Sequence, residues 1–148
     1  MPQTATIAPL EVIMNRTVNA PRERVFRAWT EAAELNRWFS PDPDATIRAS
    51  VDLRVGGAYR IELRNAERVF GAHGVYREIR PPERLVFTWN SINCGVTAVE
   101  DTLVTVEFFE AGDKTQVTLT HQYFTDTDMR DRHAQGWKGC LDHLATIL

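Results

Sequence analysis

The stretch TLVTVEFFEAGDKTQVTLTHQYF, residues 102–124, decides the fold class of this sequence. Apolar and polar side chains alternate over Thr102–Glu110 and again over Thr115–Phe124, and a period of two is typical of half-buried β-strands. Gly112 and Asp113 separate the two runs, at a place where glycine permits the positive φ of a tight turn. The stretch therefore predicts an antiparallel hairpin of two long strands.

Five runs upstream of this hairpin also have the composition of strands. They lie near Glu11–Val18, Ala45–Leu53, Ala58–Arg64, Val69–Ile79 and Arg84–Ser91. Turn-forming residues separate consecutive runs, at Gly56-Gly57, Asn65–Arg68 and Pro81-Pro82. Because short turns join antiparallel neighbours, the sequence predicts a seven-stranded antiparallel sheet. We expect the first strand to lie beside the last or the second.

Two short helices are predicted after the first strand, and a longer helix is predicted after the last strand. Pro21 suits the first position of a helix, and a second short helix is predicted over Glu31–Trp38. A longer helix is predicted from about Asp126, with Thr127 or Asp128 as its N-cap. Its apolar residues lie near one helical stripe and are Met129, Trp137, Leu141, Leu144 and Leu148.

The order of these elements predicts an α+β fold in which the sheet curves around the long C-terminal helix. A small closed barrel could not bury both the early helices and the last one, so the sheet must stay open and wrap the longer helix. Sheet and helix then diverge at one end. We expect a cavity of roughly 300 to 1,000 Å³ there, lined by apolar and aromatic side chains.

Composition and charge exclude several classes of function. The chain has 148 residues, 43% hydrophobic and 25% charged, which is ordinary for one globular domain spanning residues 1–148. Its net charge of -3 lacks the basic excess that neutralises nucleic-acid phosphates. Met1–Leu10 has no signal-peptide pattern, and no apolar run is long enough to span a bilayer. We therefore expect a cytoplasmic protein without nucleic-acid or membrane partners.

The sequence also lacks the motifs of common enzyme classes. There is no GxSxG elbow, no phosphate-binding GxxxxGKS loop and no GxGxxG after a strand. Cys94 and Cys140 are the only cysteines and form no CxxC pair, so neither a disulfide framework nor a structural zinc site is indicated. We predict no metal and no cofactor.

Large rings on the predicted inner faces are candidate ligand contacts. Tryptophan rings at strand or helix spacing usually pack as core, which is the competing interpretation for each of them. Trp89 and Trp137 are the preferred contacts, because Trp89 shares a strand face with Phe87 and Trp137 lies on the inner face of the last helix. The predicted cavity residues are Trp38, Phe87, Trp89, His121, Tyr123, His133, Trp137 and Leu141.

Histidines could supply polar groups to this cavity. Strand alternation places His121 and Tyr123 on one face, while His133 lies on the inner face of the final helix. His73 could converge with them, whereas His143 is expected to be exposed. Neither His121 nor His133 has a nucleophile or metal ligand at a diagnostic spacing. We therefore predict that they orient a ligand by hydrogen bonding, and we assign no catalytic residue.

Gly136 has two interpretations. Glycine within a helix is destabilising by about 1 kcal/mol relative to alanine, so a helical glycine usually serves close packing or a pocket. Gly136 either opens space for the cavity or permits close contact with the sheet or another helix.

Several segments, in their order, resemble the Aha1-like branch of the START/Bet v 1 superfamily, named after an activator of the Hsp90 ATPase. The family's entry to its first helix resembles Asn19–Phe26, and its later aromatic pair resembles Trp38-Phe39. The remaining similar segments are Asp52–Gly57, Gly74–Ile79, Pro81–Trp89 and His133–Trp137 with Leu141 and Leu144. The resemblance covers nearly the whole chain and implies the helix-grip fold.

The resemblance implies fold more strongly than function, because one fold hosts many activities. Our leading interpretation is non-catalytic binding of a hydrophobic small molecule inside the cavity. The alternatives are a cyclase- or hydrolase-like enzyme acting on a polyketide-type substrate, and a co-chaperone or stress-response interaction module. A co-chaperone of this family usually has a further N-terminal domain, for which this chain has no room, so an Hsp90-type partner is not expected. A homodimer is a possible assembly.

Overall fold

The computed structural model describes residues 10–66, 68–94 and 98–148. Within these ranges the strands are β1 (Val12–Val18), β2 (Thr46–Val51), β3 (Ala58–Asn65), β4 (Arg68–Arg80), β5 (Arg84–Ile92), β6 (Thr102–Ala111) and β7 (Lys114–Gln122). The helices are α1 (Arg22–Thr30), α2 (Ala32–Trp38) and α3 (Thr127–Ile147). Residues 1–9, which include most of the segment examined for a signal peptide, and Glu67 in the predicted Asn65–Arg68 turn lie outside the described residues.

The strands form one curved antiparallel sheet in the order β1-β7-β6-β5-β4-β3-β2. This confirms the predicted seven-stranded sheet, and β1 pairs with the last strand, one of its two predicted neighbours. Gly112 has a φ of 67° in the β6–β7 turn, which is the left-handed conformation that favours glycine. A register shift between Tyr76 and Glu78 interrupts the β4–β5 pairing, and such bulges bend the bulged strand.

The long helix α3 packs its apolar stripe on the inner face of the sheet, which confirms the predicted helix-grip fold. Its N-cap is Asp126, whose side chain accepts hydrogen bonds from the backbone N–H groups of Asp128 at 2.6 Å and Met129 at 3.4 Å. The predicted caps Thr127 and Asp128 were therefore wrong. An Asx side chain accepts from the second and third residues after it, so the cap lies one residue earlier.

Helices α1 and α2 close one half of the core. The ring of Trp29 meets Trp38 at a centroid distance of 4.8 Å and Phe108 at 6.4 Å, both edge-on. Phe26 meets Phe108 at 5.3 Å in the same T-shaped manner, which suits the ring quadrupoles. We call this group, Phe26, Trp29, Trp38 and Phe108, the closed half of the core. All four side chains are buried, so this half of the core is closely packed.

Candidate functional site

The other half of the core contains a cavity between α3, strands β3 and β4, and the residues that follow α2. Its volume is about 180 Å³, which is smaller than the 300 to 1,000 Å³ expected from the sequence. A cavity of about 150 Å³ is large enough to bind benzene, so the measured space suits a single ring. It is lined by Phe39, Pro41, Ile61, Leu63, Arg68, Phe70, Gly71, Ala72, Trp89, Cys94, Arg132, His133, Gly136, Trp137 and Cys140.

The apolar inner wall follows directly from the periods of its elements. On β3, alternation directs Ile61 and Leu63 inward, and each is only 4% exposed. On α3, His133, Gly136, Trp137 and Cys140 recur at intervals of three and four residues and therefore share one face. The side chains of these strand and helix faces give the cavity a largely hydrocarbon surface.

Gly136 faces open space. A Cβ atom added to Gly136 would meet no atom within 4 Å, whereas one added to Gly139 would lie 2.9 Å from the Cα of Pro41. Of the two interpretations of Gly136, the geometry therefore supports the pocket. Gly139, one turn later, has the close-packing role instead, because real Cβ atoms almost never approach so near to another atom.

Trp89 and Trp137 both border the cavity. The rings of Trp89 and Trp137 are 5.0 Å apart, and Trp89 also lies 6.2 Å from Phe39. The buried Trp89 Nε1–H has no hydrogen-bond acceptor among the described residues. A buried donor without an acceptor is destabilising by about 1 to 3 kcal/mol. A bound molecule that accepts a hydrogen bond from Trp89 Nε1–H could remove this cost.

His121 is fully engaged within the protein. The indole N–H of Trp137 donates to His121 Nδ1 over 3.0 Å, and His121 Nε2 lies 2.8 Å from Thr102 Oγ1. An indole N–H only donates, so Nδ1 is the acceptor and Nε2 carries the proton. The Thr102 hydroxyl then donates to the Trp89 carbonyl over 2.7 Å. This chain of three hydrogen bonds fixes the Trp137 ring, and neither ring nitrogen of His121 is left for a ligand.

The electrostatics agree with a neutral His121. Burial lowers the pKa of His121 well below its ordinary value, and the nearby His133 lowers it further. The side chain is completely buried. His121 therefore does not line the cavity, although it is one of the predicted contacts, and it positions the tryptophan that does.

His133 lies on the cavity wall with one nitrogen available. Its Nδ1 is 2.8 Å from the carbonyl oxygen of Met129, which can only accept, so Nδ1 carries the proton in the neutral ring. Nε2 then holds a lone pair, and no described residue hydrogen bonds to it. Burial lowers the pKa of His133, and the hydrogen bond to Met129 opposes this shift. His133 thus presents a neutral imidazole to the site.

Besides His121, four more of the predicted cavity residues lie elsewhere. Trp38 is core, with its indole N–H donating to the carbonyl of Ala28 over 2.9 Å. Phe87 lines a separate gap of about 10 Å³ in the closed part of the core, and Leu141 is buried in the main core. Tyr123 is 64% exposed, because β7 ends at Gln122 and the φ of Tyr123 is 75°, which breaks the alternation.

The other histidines do not join the site. His73 is exposed on β4, and His143 is partly buried on α3, at the edge of a surface depression. In the described part of the chain, no group of three or more His, Cys, Asp or Glu residues is placed to hold a metal ion. Over the same residues, no helix has the length and apolar character needed to cross a membrane.

Several lining residues were not predicted as cavity contacts. The apolar ones include Phe39, Ile61, Leu63, Phe70 and Cys140, and the charged ones are Arg68 and Arg132. Two signals could have found some of them. The four-residue spacing from Gly136 leads to Cys140, and the alternation of β3 leads to Ile61 and Leu63. Nothing in the sequence pattern places Arg68 and the residues of α3 around one cavity, because that arrangement depends on how the curved sheet meets the helix.

Residues 19–148 match the family described as activator of Hsp90 ATPase homolog 1-like protein. The match covers most of the chain, so the protein belongs to this family. No curated protein matches the chain in sequence. The family and its fold support a ligand-binding domain in general.

Solved structures show the same fold. The AHSA1 protein from Silicibacter pomeroyi superposes with a TM-score of 0.80 at 22% identity, over 93% of this chain and 96% of that chain. A protein from Rhizobium loti is 27% identical with a TM-score of 0.74 over the same shares. CalU16 from Micromonospora echinospora is 28% identical with a TM-score of 0.68, over 93% of this chain and 73% of that chain.

Proposed function

We propose that the protein binds a small apolar or aromatic molecule, about the size of one substituted benzene ring, in this cavity and does so without catalysis. The single observation that carries the proposal is the apolar space of about 180 Å³ that Gly136 leaves between α3 and the sheet. Protein interiors are normally close-packed, so an apolar space between α3 and the sheet offers a place for an apolar ligand.

Burial of the ligand's hydrocarbon surface supplies the driving force. A ring that buries about 150 Å² gains about 4 kcal/mol at roughly 25 cal/mol per Å², before the entropic costs of association. A gain of about 4 kcal/mol corresponds to a dissociation constant near 1 mM. Because the costs of association reduce this gain, we expect simple ring probes to bind in the millimolar range or more weakly, and the native ligand to bind more tightly through added polar contacts.

Two groups on the cavity wall supply orientation. Trp89 Nε1–H is a donor that lacks an acceptor, and the neutral His133 offers Nε2 as an acceptor. A ligand with both a carbonyl-type oxygen and a hydroxyl could satisfy both of them. Such polar contacts select among molecules of equal size, because a partner that leaves a buried polar group unpaired is disfavoured.

A toluene titration followed by ligand-observed NMR tests the proposal. The Gly136→Leu variant places a branched side chain in the cavity, and Gln135→Leu adds the same side chain at an exposed position of α3 as the matched control. We expect wild type and Gln135→Leu to bind toluene alike and Gly136→Leu to lose binding while it remains folded by circular dichroism. Equal binding by all three proteins, or none by the wild type, would contradict the proposal.

Native mass spectrometry of protein purified from its own cells addresses the identity of the ligand. We expect a fraction of the protein to retain a non-covalent molecule of low mass, which collisional activation releases. The Gly136→Leu variant purified in the same way should carry none of it. Retention of a macromolecular partner in place of a small molecule would instead support an interaction module.

A further inference from the structure

Two arginines lie at the open end of the cavity. Arg68 and Arg132 both line it and are exposed to solvent, whereas Ile61, Trp137 and Cys140 on the inner wall are at most 4% exposed. The cavity therefore has a direction, with hydrocarbon at its inner end and guanidinium groups at its mouth. Among the described lining residues none is acidic.

Arg68 has hydrogen-bonding capacity to spare. Its guanidinium carbon lies 4.5 Å above the centre of the Phe70 ring, which also lines the cavity. This cation–π contact holds the side chain beside the mouth. Arg68 forms no hydrogen bond or ion pair with a described residue, so its N–H donors remain available to a carboxylate.

The guanidinium group of Arg132 forms one exposed ion pair. Its Nε lies 3.0 Å from a carboxylate oxygen of Asp128 one turn earlier on α3. Both side chains are more than half exposed, at 56% and 66%, and exposed pairs of this kind contribute little to stability. The remaining donors of Arg132 can therefore bind a second anion, and the two arginines outnumber Asp128 at the mouth.

We propose that the ligand is a small organic acid whose ring or hydrocarbon group occupies the cavity and whose carboxylate lies at the mouth between Arg68 and Arg132. This inference rests on the proposed function and adds the chemical class of the ligand. A carboxylate is stabilised by positively charged hydrogen-bond donors and by contact with water, and the mouth provides both. Burial of the carboxylate against the apolar inner wall would be destabilising.

The test compares phenylacetate with phenylacetamide, which have nearly the same shape and differ in charge. Affinities are measured by calorimetry at low and high ionic strength for wild type, the Arg68→Gln/Arg132→Gln double variant and an Arg48→Gln/Arg77→Gln control. The control removes the same charge from exposed positions that do not line the cavity. Circular dichroism confirms that each variant is folded.

We expect the wild type and the control to bind phenylacetate about threefold to tenfold more tightly than phenylacetamide at low ionic strength. The preference should shrink in high salt and vanish in the Arg68→Gln/Arg132→Gln variant. Equal affinity of the wild type for the two probes would overturn the inference and leave the proposed function standing. Binding of neither probe would overturn both, and a preference that survives in the double variant would locate the acid group elsewhere.

Discussion

The two halves of the core contain similar residues but differ in how they are filled. In the closed half, Trp29 and its neighbours leave a gap of only about 10 Å³, whereas the other half leaves about 180 Å³. Phe39 and Ile61 border both spaces. Aromatic content alone therefore does not determine how completely a core is filled. The packing of α1 and α2 fills one half, whereas the other half has open space beside Gly136 of α3.

The comparison predicts unequal effects for the same substitution in each half. Phe108→Ala should be destabilising by about 3 to 5 kcal/mol, because the ring is buried and surrounded on the closed side. Phe70→Ala should be destabilising by about 1 to 2 kcal/mol, because this partly buried ring already borders empty space. Urea unfolding monitored by circular dichroism provides both values. Similar losses would mean that the cavity is filled in solution.

Alanine substitutions at Gly136 and Gly139 compare open space with close packing through the addition of one methyl group. Gly139→Ala should be destabilising by about 1 to 2 kcal/mol, since the added methyl group would lie 2.9 Å from Pro41 Cα and 3.0 Å from its carbonyl oxygen. Gly136→Ala should be stabilising by about 0.5 to 1 kcal/mol, because alanine favours the helix and its methyl group meets open space. Thermal unfolding measures both, and the same sign for the two variants would break the comparison.

The buried imidazole of His121 makes stability depend on pH. Its pKa is lowered in the folded state, so near pH 6.5 and below the unfolded chain binds a proton that the folded chain does not. The contribution of His121 to the free energy of unfolding is therefore complete above about pH 6.5. Below that pH the free energy of unfolding falls by at most about 1.4 kcal/mol per pH unit because of this group. Asp142, whose pKa is lowered by its hydrogen bond to Arg16, matters only below about pH 4.

Urea unfolding of wild type and His121→Gln between pH 7.5 and pH 5 isolates this effect. The glutamine amide can accept from Trp137 and donate to Thr102, so the variant keeps the hydrogen-bonding pattern and loses the titrating group. We expect a shallower loss of stability in the variant. The remaining slope reports His133, the nearby histidine on α3. Identical slopes in the two proteins would show that His121 does not resist protonation.

The smallest effect is expected at His133. His133→Gln retains a hydrogen-bonding group beside the cavity, so the affinity for a ring ligand should change by about 1 kcal/mol or less. A panel of aromatic ketide and ester substrates, incubated with wild type and this variant, checks the non-catalytic part of the proposal. Turnover by the wild type that disappears in His133→Gln would contradict it, since loss of a proton-transfer group typically lowers rates by about a hundredfold or more.

Local patterns predicted the fold because they repeat. The alternation of Thr102–Glu110 and Thr115–Phe124 predicted two adjacent strands, and the turn at Gly112 predicted their antiparallel pairing, which the register confirms. The same period failed at Tyr123, where the backbone takes a positive φ as the chain leaves β7 for α3. A positive φ at a single residue depends on the route that the chain takes in the folded protein. It therefore produces no periodic pattern in the sequence.

The site was only partly predictable for a related reason. Strand and helix periods identify a face, and the structure has Trp89, His133 and Trp137 on the cavity wall. Those periods do not show whether the face meets atoms or empty space. Gly136 and Gly139 look alike in sequence, and only the approach of Pro41, nearly a hundred residues earlier, distinguishes them.

A crystal structure of the protein soaked with iodobenzene tests the central claim most directly, because the anomalous signal of iodine locates the ring without ambiguity. We expect one strong iodine peak in the cavity bordered by Ile61, Trp89 and Trp137, and its disappearance in Gly136→Leu crystals. An empty or water-filled cavity in the wild type, or iodine bound only at the protein surface, would contradict the claim.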